Sequence, residues 1–441
     1  MSDLLGIGAS GLRAYSSALA TVGDNIANAQ TPGYARRTLQ LREALGAGDT
    51  ALIRANVRPG GVAIQGIDRA VDGWLIDDAR LSSGDAARAG TRLEWMSRVE
   101  GALGDDANGL ATGLTTLFTT ADLLTADPTN PTLRSQFLQA VDDVAAGFSG
   151  TAQQLAGMSD GVADAATAEI DQFNTNLQAL EAINVGLRKA RPGSTGEASL
   201  LDERDRLLDQ LSGQAGVTAS FDDRGAATLR VAGSGDLLVG GGAVNPVAVT
   251  AAGDGRLSFT VGGDAFTTAS GSLAGQAEAA NHVADQRAGL DTLAVQISGQ
   301  LNAAHQSGFD AAGNPGAALF TGTSAATLTA APLAAADVAV ADATSANGNM
   351  LAFGAMRGAT DPESAWAGHL SAQAQGTAAA RAQDAAATTR SDAASAARSS
   401  VSEVDLDREA ADLLRFQQAY SAAARTIQVA RETMQALLAA I

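Results

Sequence analysis

Apolar residues recur at steps of three and four near both ends of the chain. Toward the N-terminus they are Leu5, Gly8, Leu12, Tyr15, Leu19, Val22 and Ile26, the repeat of a helix that turns one stripe toward a partner. The stripe stops before Thr31-Pro32-Gly33, where proline presets one turn position and glycine supplies positive φ at the next. A longer stripe runs through Leu406, Ala410, Leu413, Gln417, Tyr420, Ala424, Ile427, Arg431, Met434, Leu438 and Ile441, broken by Gln417 and Arg431. Ser402-Glu403-Val404-Asp405 offers capping groups before it. Asp405, Asp407 and Glu409 lie in its first turns, where negative charge suits the helix dipole.

Between the ends the periodicity predicts helices over 71–101, 132–189, 199–212, 273–307 and 362–400. The second of these has a seam of Phe137, Val141, Val144, Phe148, Leu155, Met158 and Val162. It slips near Ala166 and resumes at Ile170, Phe173, Leu177 and Leu180, which predicts a local unwinding. Alternating residues at 38–42 and 62–65 predict a small ribbon. From 217 to 268 short alternating runs separated by glycine predict several antiparallel strands, and 308–345 reads as loop-rich and partly β. The expected fold class is mainly α with β, a discontinuous multidomain rod. Residues 1–33 with 402–441 make a terminal α-helical coiled coil. Residues 34–213 with 269–401 make a long-helix bundle, and 217–268 is an inserted antiparallel β domain.

Composition narrows the function classes. Hydrophobic residues make up 46% of the 441, so a real core can form, yet aromatics are only 4%. Abundant alanine and glycine favour close helix–helix contact. With 29 basic against 48 acidic residues the net charge is −19, a field that repels nucleic acid and anionic lipid. There is no cysteine, which excludes disulfide scaffolds and thiolate metal sites. Met1-Ser2-Asp3-Leu4-Leu5 lacks the basic region and apolar run of a cleaved signal peptide. No stretch approaches the ~20 apolar residues of a membrane span. The chain is expected to be cytoplasmic or exported by a route that needs no cleaved signal.

Candidate chemistry is sparse. His282, His305 and His369 have no metal-ligand spacing. Gly233-Ser234-Gly235 and Gly240-Gly241-Gly242 do not lead from a strand into a helix as phosphate loops do, and read as turns. Asp142-Asp143 and Asp222-Asp223 read as solvated pairs rather than a hydrolytic couple. Asp310 to Asn314 lacks the ligand alternation of a calcium loop. We therefore expect no catalytic, cofactor or metal site and no enzyme.

The two stripes matter physically because a lone amphipathic helix of ~25 residues is marginal in water. Burying each leucine-sized side chain is worth about 1.5–3 kcal/mol. The cover can come from the opposite end of the chain, from a neighbouring subunit, or from both.

The segment Ser10-Gly11-Leu12-Arg13-Ala14 through Asp24-Asn25-Ile26-Ala27-Asn28 to Thr31-Pro32-Gly33-Tyr34 resembles the N-terminal signature of flagellar rod, hook and hook-associated proteins. Tyr34-Ala35-Arg36-Arg37 is similar to the hook-associated protein 1 branch. So are Leu200-Leu201-Asp202-Glu203-Arg204-Asp205-Arg206-Leu207-Leu208 and the loop Gly308-Phe309-Asp310 with Gly313 and Phe320. The run from Val404 to Tyr420 resembles that superfamily's closing helix. The resemblance implies a structural, non-catalytic component of the hook–filament junction. Such a chain would be extracellular, exported without a cleaved signal peptide through the flagellar type III apparatus. It would contact further copies of itself, the hook protein, a second junction protein and, through the C-terminal helix, an export chaperone. The assembly residues implied are Leu5, Leu12, Tyr15, Leu19, Val22, Ile26, Leu406, Leu413, Tyr420, Ile427, Met434 and Leu438. The ends are then expected to order only when neighbouring copies cover them. A hook or distal-rod subunit is the near alternative, and a secreted hydrolase or adhesin the distant one.

Overall fold

A computed structural model describes residues 2–44, 60–104, 109–358 and 361–439. In chain order the elements are α1 (Ser2–Asn28), β1 (Arg37–Glu43), β2 (Val62–Arg69), α2 (Gly73–Leu103), α3 (Leu110–Ala126), α4 (Pro131–Lys189) and α5 (Thr195–Gln214). The strands β3 (Val217–Phe221), β4 (Ala227–Val231), β5 (Leu237–Gly240), β6 (Ala243–Val244), β7 (Val247–Ala251), β8 (Leu257–Val261) and β9 (Asp264–Phe266) follow. Then come α6 (Ser272–Gln306), β10 (Phe320–Thr321), β11 (Thr329–Ala330), α7 (Gly348–Gly354), α8 (Pro362–Ser402) and α9 (Leu406–Ala439). The fold is mainly α with small antiparallel sheets.

The chain divides into two compact units. One gathers residues up to Asp85, Gln172–Val247 and residues from Thr388 onward; the other gathers Ala86–Asp171 and Ala248–Ala387. In the first, α1 ends as the sequence reads. Tyr34 N–H donates to Thr31 O at 3.1 Å, and Gly33 takes φ 80°, the glycine position of a type II turn. The ribbon β1–β2 is antiparallel, with a bulge at Gln40/Leu41. The strands from 217 onward do not form one sheet: β3-β4-β5-β6 make one and β7-β8-β9 another. Asn184 of α4, fully buried, ties the first sheet down. Its Nδ2 donates to Ala227 O at 2.9 Å and its Oδ1 accepts from Ala227 N–H at 2.7 Å.

The second unit holds the aromatic core. Phe353 of α7 meets Phe118 of α3 at 5.6 Å between ring centroids and Phe137 of α4 at 5.5 Å, edge-on. Leu114, Leu117, Val144, Phe148, Leu290, Ile297, Leu301 and Trp366 are buried in the same cluster. Neither α3 nor α7 is foreseen by the pattern. The unwinding expected near Ala166 does not occur: α4 is continuous from Pro131 to Lys189, and Ala166 is fully buried. A small residue there lets a neighbour sit close, so the seam passes through it without a large side chain.

Both termini are helical and packed on each other. The expectation that they order only under a neighbouring copy is amended: each supplies the other's first cover. Ile441, the last residue of the predicted stripe, lies outside the described residues.

Candidate assembly interface

The geometry of the terminal pair follows from three contacts. A side chain at Gly8 would sit 2.5 Å from Ile427 Cγ1, and one at Gly11 would sit 3.5 Å from Ala423 Cβ. Asn25 Nδ2 donates to Glu409 Oε2 at 3.0 Å. Numbers rise on α1 as they fall on α9, so the helices run antiparallel. Their inner faces are built of small residues: Gly8, Gly11, Ala14 and Ala18 are buried on α1, and Ala430 on α9, with Ala419 and Ala423 half-buried. Absent side chains let the backbones approach, which is how an alanine- and glycine-rich pair gains dispersion contact without large apolar groups.

This places the sequence-selected residues unevenly. Val22 is buried. Leu5, Leu12, Tyr15, Leu19, Leu413 and Ile427 are half-buried at the edge of the pair. Ile26, Leu406, Tyr420, Met434 and Leu438 are exposed. The structure thus brings together Glu409, Phe416, Ala423 and Ala430 on the inner side of α9. It leaves large apolar side chains of α9 in solvent, with Leu414 and Val429 each 60% exposed and Leu438 69%. Leu4 and Ile7 of α1 are exposed as well.

A polar node closes the end of the pair near the turn, and the sequence pattern did not reveal it. Glu409 is completely buried. Arg36 Nε donates to its Oε1 at 2.6 Å, and Asn25, 1% exposed, donates to its Oε2. The Asn25 amide also donates to Arg37 O at 2.9 Å, and its Oδ1 accepts from Arg37 N–H at 3.0 Å and from Tyr34 OH at 2.8 Å. Burial pushes the Tyr34 phenol up to about 12, against the pull of Arg37, whose guanidinium lies over its ring. The phenol therefore stays a donor through any physiological range.

From Arg37 a ladder of ion pairs continues along α5. Asp202, Asp205 and Asp209, spaced three and four apart, share one helix face. Asp202 takes Arg37 at 2.6 Å and Arg69 at 2.7 Å; Asp205 takes Arg69 at 2.7 Å, Arg204 at 2.6 Å and Arg80 at 3.4 Å. Asp209 takes Arg80 at 2.7 Å and Arg398 at 2.8 Å. Burial alone would raise the Asp205 carboxyl, but the adjoining Arg204 and Arg69 outweigh it and hold it below its usual value. The spacing of the three aspartates was the available signal.

The remaining candidates have structural partners. His305 is buried; its Nδ1 faces Ala317 O at 2.6 Å and its Nε2 accepts from Ala339 N–H at 2.8 Å. Both ring nitrogens are therefore engaged, with the proton on Nδ1. His282 pairs with Gln373 at 2.8 Å, and His369 stacks on Trp366. Asp310 Oδ1 accepts from the N–H groups of Ala312 and Asn314, both at 2.8 Å, closing its own loop. Asp222 does the same for Arg224 and Ala226. Asp142 and Asp143 are exposed on α4. Among the described residues no group of three or more acidic or histidine side chains could hold a metal, and no helix is long and apolar enough to cross a membrane.

Comparisons with known families match three stretches of the chain. The model described as the flagellar hook-associated protein FlgK helical domain matches residues 96–320, half of the chain. Flagella basal body rod protein matches 5–34, and flagellar basal body rod FlgEFG protein C-terminal matches 397–440. Flagellar hook-associated protein 1 of Salmonella typhimurium is 28% identical over 336 residues, covering 73% of this chain and 60% of that protein. The Escherichia coli K12 protein of the same name is 28% identical over 335 residues, with the same coverage. That of Bacillus subtilis is 26% identical over 223 residues, 49% of this chain and 44% of its own. The chain thus spans about 60% of the length of the first two relatives. The hook junction protein FlgK from Burkholderia pseudomallei shares the fold with a TM-score of 0.50 and 22% identity, over 55% of this chain and 46% of that one. The chain belongs to the flagellar hook-associated protein FlgK family.

Proposed function

We propose that the chain is a structural, non-catalytic subunit of the hook–filament junction, joining neighbouring copies through the outward face of its terminal helix pair. One observation carries the reading: after α1 and α9 have covered each other, α9 still presents Leu406, Leu414, Tyr420, Val429, Met434 and Leu438 to solvent. So much apolar surface on one long helix is costly to leave wet. A heterologous contact repeated around an axis would cover it and build a tubular layer. Rod-type matches at both ends and the names of the relatives support placement in the flagellum. On this reading the partners are further copies, the hook protein and a second junction protein. An export chaperone covers the exposed apolar side chains of α9 before assembly, and the destination is extracellular.

The test is complementation of a strain lacking its own junction protein, followed by electron microscopy. Leu414→Asp and Val429→Asp are expected to leave the monomer folded, because both side chains are largely exposed. Hooks should then carry no filaments, with flagellin released to the medium. Filaments of normal number on hooks carrying both substitutions would refute the proposal.

A further inference from the structure

The inner seam of the terminal pair is poorly suited to fixing its own alignment. With Gly11 opposite Ala423 and Asn25 opposite Glu409, the heptad positions on α1 are Leu4, Gly11, Ala18 and Asn25. Those on α9 are Glu409, Phe416, Ala423 and Ala430. Sliding one helix by seven residues still sets Ala423 against Ala18 or Leu4, and contact between small apolar side chains discriminates only weakly between such states. Glu409 is different. It is the one charged residue at these heptad positions, and it has no exposed surface.

We infer that the Asn25–Glu409–Arg36 node sets the register in which the two ends of the chain pair. In the observed alignment both carboxylate oxygens are answered, by Arg36 Nε at 2.6 Å and by Asn25 Nδ2 at 3.0 Å. Asn25 in turn is fixed by Arg37 backbone groups and Tyr34, so the donor is held in place before α9 arrives. A slide of one heptad in one direction sets Glu409 against Ala18, a buried carboxylate without a donor. The opposite slide sets it against Pro32, beyond the end of α1, and leaves Asn25 facing Phe416. Each wrong register strands a polar group that the right one satisfies, which is the way a single buried polar position fixes alignment in helix pairs. The inference concerns pairing within one chain and does not rest on the junction reading.

Because the chain has no cysteine, register can be read by crosslinking in the full-length protein. Ala423→Cys is combined in turn with Gly11→Cys, which reports the observed alignment, and with Ala18→Cys or Leu4→Cys, which report the two slipped ones. The 3.5 Å between Cβ positions at 11 and 423 falls within disulfide range. With Glu409 present, intramolecular closure under mild oxidation is expected at 11/423 and at neither slipped pair. Adding Glu409→Leu should open closure at 18/423 or 4/423, at least tenfold above the parent. Glu409→Gln, which keeps one acceptor oxygen and sets an N–H against the second donor, should restore the preference for 11/423 only in part. The inference is overturned if the parent closes at all three pairs, or if Glu409→Leu still closes only at 11/423. It is also overturned if Glu409→Leu closes at none, since the node would then be an anchor and not a gauge of alignment.

Discussion

Glycines on α1 give a sharp test of how closely the terminal helices approach. Alanine in place of a helix-interior glycine gains about 0.8–1 kcal/mol from backbone entropy alone. Gly6 and Gly23 have nothing within 4 Å of the position a Cβ would take, so Gly6→Ala and Gly23→Ala should return that gain. At Gly8 the same methyl would lie 2.5 Å from Ile427 Cγ1, over 1 Å inside ordinary carbon–carbon contact. Overpacking of this kind costs about 1–3 kcal/mol, so Gly8→Ala should come out neutral to about 2 kcal/mol unfavourable. Hydrogen exchange of α9 amides, read by mass spectrometry, is the appropriate assay, since it reports local opening of the pair. A change of about 1.4 kcal/mol corresponds to tenfold in exchange rate. Gly6→Ala should slow α9 exchange or leave it alone, while Gly8→Ala should speed it. Adding Ile427→Ala to Gly8→Ala should recover part of the loss, a coupling expected only of groups in contact. Equal protection in Gly8→Ala and Gly6→Ala would refute the close approach.

Other consequences are open to direct measurement. Asn184→Leu leaves the Ala227 N–H and C=O buried without partners, at about 1–3 kcal/mol for each group; an unchanged urea midpoint would contradict this. Asp205→Ala leaves Arg204 without a carboxylate and takes one of two from Arg69 and from Arg80, and should cost about 3–5 kcal/mol by the same denaturation assay. Burial lowers the pKa of His305, as it does for His282 and His369. The folded state then binds fewer protons than the unfolded chain, whose histidines titrate near ~6.5. Their contribution is full above that pH and falls as the pH drops toward the folded values. Urea midpoints measured from pH 7.5 to 5 should therefore decline, and His305→Gln should flatten the decline.

What the sequence disclosed depended on side-chain size. The helices α1, α9 and α4 were legible because leucine, phenylalanine and isoleucine mark their seams. The same large residues mark Leu406, Tyr420 and Met434 of α9, which are exposed in the chain alone, so large apolar side chains do not identify the side of α9 that meets α1. The inner face rests instead on Ala419, Ala423 and Ala430, which a hydrophobic pattern scarcely registers. Glu409 was hidden for a related reason: a glutamate in a first helical turn already has an explanation in the helix dipole. The aspartates at 202, 205 and 209 share one face that the sequence shows, but apart from the adjacent Arg204 their arginine partners come from β1, β2, α2 and α8, and no local pattern links such distant positions. The strands from 217 onward were legible singly, whereas their division into two sheets depends on pairing that no local pattern reveals.

The aspartate row on α5 restricts how the sequence can drift. Three carboxylates answer five guanidiniums, those of Arg37, Arg69, Arg80, Arg204 and Arg398. No arginine in the set has an acid to itself. Removing one acid leaves one guanidinium without a carboxylate (Arg37 for Asp202, Arg204 for Asp205, Arg398 for Asp209) and weakens the pairing of at least one other, whereas a lost arginine leaves its acid still occupied. Substitutions should accordingly be tolerated first among the guanidiniums, and the acids should change only as a group.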